Sequence, residues 1–199
     1  MHRLIITAHP SDVGFTHKIA KTYLKSSVEA GHTGEILDLY QSEFSQSFLV
    51  FNNPKELRNS SLQRQKIQNL IHKAEQIILI HPLWWGGMPA IMKNFLDQNI
   101  TPGFAFKYEK HPWLPSWMVI LPRKLLKGKT AKVYITSDTP KWAYAALLFP
   151  FFITWIEILS FCGIKITKLR FFGSMRRRNE LSREYLLRVV AKDARVKSF

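Results

Sequence analysis

Five times along this chain a short run of aliphatic and β-branched residues gives way to a segment with helical spacing, and that alternation leaves few folds open. The strand pattern is carried by RLIITA (3–8), GEILDLY (34–40), EQIILIHP (75–82), TAKVYITS (130–137) and GIKITKLRFFG (163–173). The first helical segment puts Ile19, Ala20, Tyr23, Leu24 and Val28 on one face and ends near Gly31. SLQRQKIQNLIHKAE then repeats Ile67, Leu70, Ile71 and Ala74 at helical spacing. PAIMKNFLDQ follows the third strand, with Pro89 at its first turn, where proline is tolerated. The closing helix, Asn179 to about Lys192, is expected to turn Leu181, Tyr185, Leu186, Val189 and Val190 inward.

Strand-helix alternation of this kind implies a parallel sheet with helices on both faces. The expected fold class is α/β, a flavodoxin-like three-layer sandwich with a five-stranded sheet in the order 2-1-3-4-5. The 199 residues suit a single flavodoxin-like domain over 1–199 with one substantial core. Residues 99–128, rich in proline and aromatics, are expected to form a long loop.

Two features test other classes. The run from Ala145 to Ile164 approaches the length of a membrane span, but Pro150, Thr154 and Glu157 interrupt it. A helix buried on several sides, at a subunit contact, is expected instead. The net charge of +15 attracts anions at long range, yet the basic residues are spread along the chain and no nucleic-acid recognition motif accompanies them. No specific nucleic-acid partner is expected. Cys162 is the only cysteine, which fits a reducing cytoplasm, and His17, His72 and His111 have no metal-ligand spacing. No metal is expected.

In such a sheet the ligand crevice opens at the carboxyl ends of the strands, at the switch point. The loops that reach it are AHPSDVGFTHK, HPLWWGGMPA and ITSDTPKWAY. The first brings His9, Gly14, Phe15 and Thr16 to a helix N-terminus, which suits a phosphate. Thr16 as a simple cap and His9 as a surface residue is the alternative for that loop taken alone. The second offers the aromatic area of Trp84 and Trp85, while Gly86 and Gly87 leave amides accessible. An isoalloxazine ring needs such a flat wall and such donors. The third, Thr136, Ser137, Asp138 and Thr139, supplies small polar groups for the other edge of the ring.

These motifs resemble the NAD(P)H:quinone oxidoreductase (DT-diaphorase-like) family. The resemblance runs through AHP…GF at 9–15, LDLYQSEF at 37–44, HPLWWGGMPAIMKNFLD at 81–97, GFAFKY at 103–108 and FCGI at 161–164. It implies a cytoplasmic homodimer with a flavin at each subunit contact and ping-pong transfer of two electrons from NAD(P)H to a quinone-like acceptor. FAD is the cofactor it implies first, with FMN as the alternative. His9, Phe15 and Thr16 would lie near the flavin phosphates, Pro82, Leu83, Trp84 and Trp85 along the ring, and Gln68 towards the adenosine side. Phe106 and Tyr108 match positions lining the substrate pocket, often from the partner subunit. Tyr108 or Tyr144 would give the acceptor a hydrogen bond or proton. A second function is an ancillary regulatory subunit of a membrane transporter such as a potassium-efflux system, through peripheral association with a membrane or membrane protein. The chain departs from the family at Gly14 and Thr16, where Ser-Phe-Asn is frequent, and at TSDT, where Thr-Thr-Gly-Gly is frequent. Asp138 beside the ring would disfavour a reduced anionic flavin unless it points away.

Overall fold

A computed structural model of the protein describes residues 1–41, 43–50, 52–53, 61–108, 122–143 and 149–196. In chain order the strands and helices are β1 (His2–Thr7), α1 (Phe15–Glu29), β2 (Thr33–Asp38), α2 (Leu62–Lys73), β3 (Gln76–Pro82) and α3 (Ala90–Asn99). There follow β4 (Phe106–Lys107), β5 (Arg123–Lys124), β6 (Thr130–Thr136), α4 (Phe149–Cys162), β7 (Lys165–Phe172) and α5 (Glu180–Arg195). A 3-10 turn, Met175–Arg177, joins the last two.

The large sheet runs β2-β1-β3-β6-β7, every pairing parallel, as the alternation requires. β4 and β5 form a separate antiparallel ribbon, Phe106 opposite Lys124, so the segment expected as plain loop has local structure of its own. The two central strands, QIILIHP and TAKVYIT, are buried at every position because helices cover both of their faces. Alternate residues feed two cores. Leu4, Ile6, Leu79 and Val133 pack with Ile67 and Ile71 of α2, Phe95 of α3 and Trp155 of α4. Ile5, Ile78, Ile80 and Tyr134 pack with Ile19 and Tyr23 of α1 and Leu186 and Val190 of α5. The result is the three-layer sandwich.

Two helix faces differ from the sequence expectation. On α5 the buried positions are Leu186, Val190, Asp193 and Ala194, and Leu181 and Tyr185 lie outside, 73 % and 63 % exposed. On α1, Val28 is exposed and Ser26 and Ser27 are buried. The cause is a buried polar cluster that apolar periodicity does not see. Arg3 and Lys132, on β1 and β6, are both buried and project towards α1 and α5. Arg3 Nη1 donates to Ser27 Oγ at 2.6 Å and to the carbonyl of Ala194. Lys132 Nζ donates to the carbonyl of Asp193. The last turn of a helix leaves such carbonyls without intrahelical partners, and here the sheet supplies them. The Asp193 carboxylate takes both forks of Arg170 and the hydroxyl of Tyr134 at 3.1 Å. Burial pushes the Lys132 ammonium down to about 8, with Arg3 adding to the effect.

α4 exposes Ile153 and Ile156 and buries Trp155, Leu159 and Cys162. Among the described residues, no helix is long and apolar enough to cross a membrane.

Candidate functional site

The crevice is built at the carboxyl ends of β1, β3 and β6. After β1 the chain turns through His9 to α1. Gly14, not Thr16, is the N-cap, and it offers no side-chain cap; no acidic residue stands in the first turn. Thr16 lies one residue inside the helix and is buried. The His17 amide donates to Gly14 O at 3.1 Å, which leaves the Phe15 and Thr16 amides for an external acceptor, and no side-chain carboxylate offsets the partial positive charge of the helix end. Glycine is required at 14 for space: a Cβ there would come within 2.9 Å of the His9 ring. His9 Nδ1 lies 3.1 Å from both the amide and the carbonyl of Ser11, which hold the ring in place. Behind this loop His17 Nε2 and Asp38 Oδ2 form a buried pair at 2.8 Å, while His17 Nδ1 has no partner among the described residues.

The Trp-Trp-Gly-Gly stretch is a tight hairpin. Trp84 and Gly87 exchange both backbone bonds at 2.9 Å, and Trp85 (φ 51°) and Gly86 (φ 75°) occupy the left-handed region between them. Positive φ at both central positions defines a type I′ turn, for which Asn-Gly is the usual choice. A tryptophan held there is strained, by about 1–2 kcal/mol. The turn holds Trp85 wholly in solvent and leaves Trp84 42 % exposed. It also consumes the Gly87 amide, so the donors this turn leaves unused are those of Trp85 and Gly86. The loops meet where the rings of His9 and Trp84 approach to 6.2 Å.

Below the hairpin, His81 is fully buried. The Trp155 indole donates to its Nε2 at 3.2 Å, and its Nδ1 lies 2.8 Å from the Pro82 carbonyl. Burial pushes its pKa down to about 4, against the opposing pull of the Pro82 carbonyl. The Leu83 amide donates to the Thr136 carbonyl at 2.7 Å, joining the hairpin to the third loop. In that loop Thr139 N–H donates to Ser137 Oγ at 3.0 Å. Asp138 accepts the Arg176 amide at 2.8 Å and approaches its guanidinium at 3.5 Å, so its charge is directed to the turn after β7.

The remaining expected residues lie apart from this group. Gln68 spends its amide nitrogen on Asn99 O at 3.0 Å and Thr101 Oγ1 at 3.2 Å. Phe106, Tyr108 and Phe161 form an aromatic cluster, with Phe106 and Phe161 centroids 4.8 Å apart. Phe106 also lines a cavity of about 450 Å³ with Leu49, Leu96, Ile100 and Ile158. Tyr144 falls outside the described residues. Sequence reasoning missed the His81–Trp155, His17–Asp38 and Asp138–Arg176 contacts, which span 74, 21 and 38 residues and leave no local signal. Burial pushes the Cys162 thiol up to about 11, which removes it as a nucleophile at neutral pH.

A family model described as the flavodoxin-like fold matches residues 1–192. The chain belongs to this family. It is 28 % identical over 204 residues to an NAD(P)H oxidoreductase of Haemophilus influenzae, covering 99 % of this chain and 96 % of that one. An FMN-dependent NADH:quinone oxidoreductase of Bacillus subtilis is 29 % identical over 123 residues, covering 53 % of this chain and 58 % of that protein. A crystal structure of a Streptococcus mutans protein superposes with a TM-score of 0.82 at 29 % identity, over 98 % of this chain and 99 % of that one. The resemblance carried by the third-strand motif is thus matched by relatives along the chain.

Proposed function

We propose that this chain is an FMN-dependent NAD(P)H oxidoreductase of the quinone reductase type. The observation that carries the proposal is the type I′ turn that spends backbone strain to display Trp85 in solvent beside an uncapped helix N-terminus. A core has no use for such a display, whereas an aromatic ligand with a phosphate has two. The first turn of α1, with His9 and Gly14, would hold the phosphate. Trp84 and Trp85 would flank the ring, with the amides of Trp85 and Gly86 as donors to its edge. A bound flavin supplies two-electron redox chemistry. The residues around it position the ligands, exclude water and hold the ring's edge in a field of amide dipoles. Donor and acceptor would use the same face of the ring in turn, in a ping-pong cycle with a quinone-like acceptor.

FMN replaces the FAD of the sequence expectation. The Bacillus subtilis relative carries FMN in its name. Gln68, expected on the adenosine side, is already bonded to Asn99 and Thr101. Ile153 and Ile156 on the outer side of α4 support pairing of two copies through that helix.

The test is a visible absorption spectrum of the purified protein incubated with FMN or FAD. Retention of FMN, bleaching by NAD(P)H and recovery with a quinone is the expected result. A protein that keeps neither flavin would refute the proposal.

A further inference from the structure

The arginine-rich turn after β7 is built onto the ring-side loop. Ser137 N–H donates to Phe172 O at 2.9 Å, Met175 N–H to Ser137 O at 3.0 Å and Ser174 N–H to Thr139 O at 3.2 Å. The Arg176 amide adds its bond to Asp138 at 2.8 Å. Such stitching fixes the turn relative to the crevice.

The arginines divide into two kinds. Arg178 is spent on structure, with Nε on Gly173 O at 3.0 Å and Nη1 on Ser182 Oγ at 2.8 Å. Arg183 likewise donates to Met175 O at 3.0 Å. Arg176 is 87 % exposed and has one loose contact, at 3.5 Å, with Asp138. Arg177 is exposed, in the last turn of the 3-10 segment; its amide donates to Ser174 O at 3.1 Å, and no partner is seen for its guanidinium among the described residues. β6 separates β7 from β3, so the strands that lead to this turn and to the tryptophan hairpin stand two strand spacings, roughly 10 Å, apart.

We propose that Arg176 and Arg177 receive the 2′-phosphate of NADPH and so set the donor preference of the chain, an inference that rests on the oxidoreductase function above. A donor whose nicotinamide lies against the hairpin must leave the crevice across its rim. Two guanidinium forks on that rim match phosphate oxygens in geometry as well as charge. Preference for NADH calls instead for an acid free to accept the ribose 2′-hydroxyl. Asp138, the acid of this loop, is turned to the Arg176 amide and guanidinium, which offsets its repulsion of a phosphate.

The experiment compares FMN-loaded wild type with Arg176→Gln, Arg177→Gln and the double variant, both sites being exposed. Steady-state kinetics with NADPH and NADH are paired with calorimetric titration of adenosine 2′,5′-bisphosphate and of AMP. In the double variant kcat/KM for NADPH should fall about tenfold or more, through KM, with NADH unchanged. Bisphosphate affinity should fall by the same factor and AMP affinity should hold. An unchanged NADPH-to-NADH ratio would overturn the assignment. Equal losses for both donors, or for both nucleotides, would overturn it too, because they mark a general pull on anions. A protein that retains no flavin and oxidises neither donor overturns the oxidoreductase function itself. A flavin-loaded protein indifferent to the two arginines overturns only the 2′-phosphate site.

Discussion

The indole N–H of Trp155 donates to Nε2 of His81 at 3.2 Å, and this bond decides which imidazole nitrogen carries the proton. An indole can only donate, so Nε2 holds a lone pair and Nδ1–H points to the Pro82 carbonyl, 2.8 Å away. A neutral imidazole thereby ties α4 to the backbone where the tryptophan hairpin begins.

That tie predicts an acid weakness. The folded His81 has a pKa of about 4, below its ordinary 6.5, because burial disfavours the charged ring. As pH falls through 6.5 the unfolded chain takes up the proton and the folded chain does not. The contribution is complete above pH 6.5 and shrinks towards pH 4, by about 3 kcal/mol at most. Urea unfolding of wild type and His81→Gln across pH 7 to 4 should show their stability difference narrowing on acidification. A constant difference would contradict the neutral, bridged imidazole.

Trp85→Asn should separate folding from binding. Asparagine accepts the left-handed conformation and forms Asn-Gly with Gly86, the preferred type I′ pair. Thermal unfolding should show a gain of about 1 kcal/mol. FMN affinity, read by quenching of flavin fluorescence, should drop about tenfold with the lost aromatic wall. A variant both more stable and equally retentive would deny Trp85 its role.

Gly14→Ala tests the phosphate end alone. The added methyl meets the His9 ring at 2.9 Å and must displace it. FMN affinity should fall several-fold, while riboflavin, which lacks the phosphate, should bind as before. Parallel titrations of the two flavins measure the difference, and equal losses would place the anion elsewhere.

The buried lysine has an alkaline signature. Folded Lys132 has a pKa of about 8, below its ordinary 10.5, because of burial and the neighbouring Arg3. Below pH 8 both states hold the proton and the folded one bears the cost of a buried charge. Between pH 8 and 10.5 the folded state loses it first, so wild type gains stability as pH rises. Lys132→Met has no proton to lose, and the melting-temperature difference should move in favour of wild type between pH 8 and 10. The tyrosines act in the opposite sense above pH 10, since burial raises Tyr23 and Tyr134.

The layered fold was legible because burial on both faces writes continuous apolar runs, such as IILI in β3, that need no distant partner to be recognised. That the loops after β1 and β3 lie together was legible for a related reason: AHPSDVGFT and PLWWGG are local turns at the carboxyl ends of neighbouring strands. What escaped depends on pairing across the chain. Arg3 in RLIITA and Lys132 in TAKVYITS are cations in strands expected inside the sheet, and nothing local names their partners until α5 is placed over them. Leu181 and Tyr185 look like core until Asp193, three residues beyond Val190, is seen to take the inner face with Arg170. Asp138 looked like a threat to a reduced ring because its partner, Arg176, lies past the next strand.

Arg3 has a consequence for synthesis. Its acceptor on Ala194 is made 191 residues after it. Until then a strand bound for the middle of the sheet carries a cation with only part of its partners, Ser27 and the Tyr23 ring, and Lys132 waits for Asp193. The polar contacts at the centre of the sheet are therefore complete only once α5 has been made. A chain cut before α5 should be more protease-sensitive than the chain that carries it, because α5 brings the acceptors that these two buried cations share.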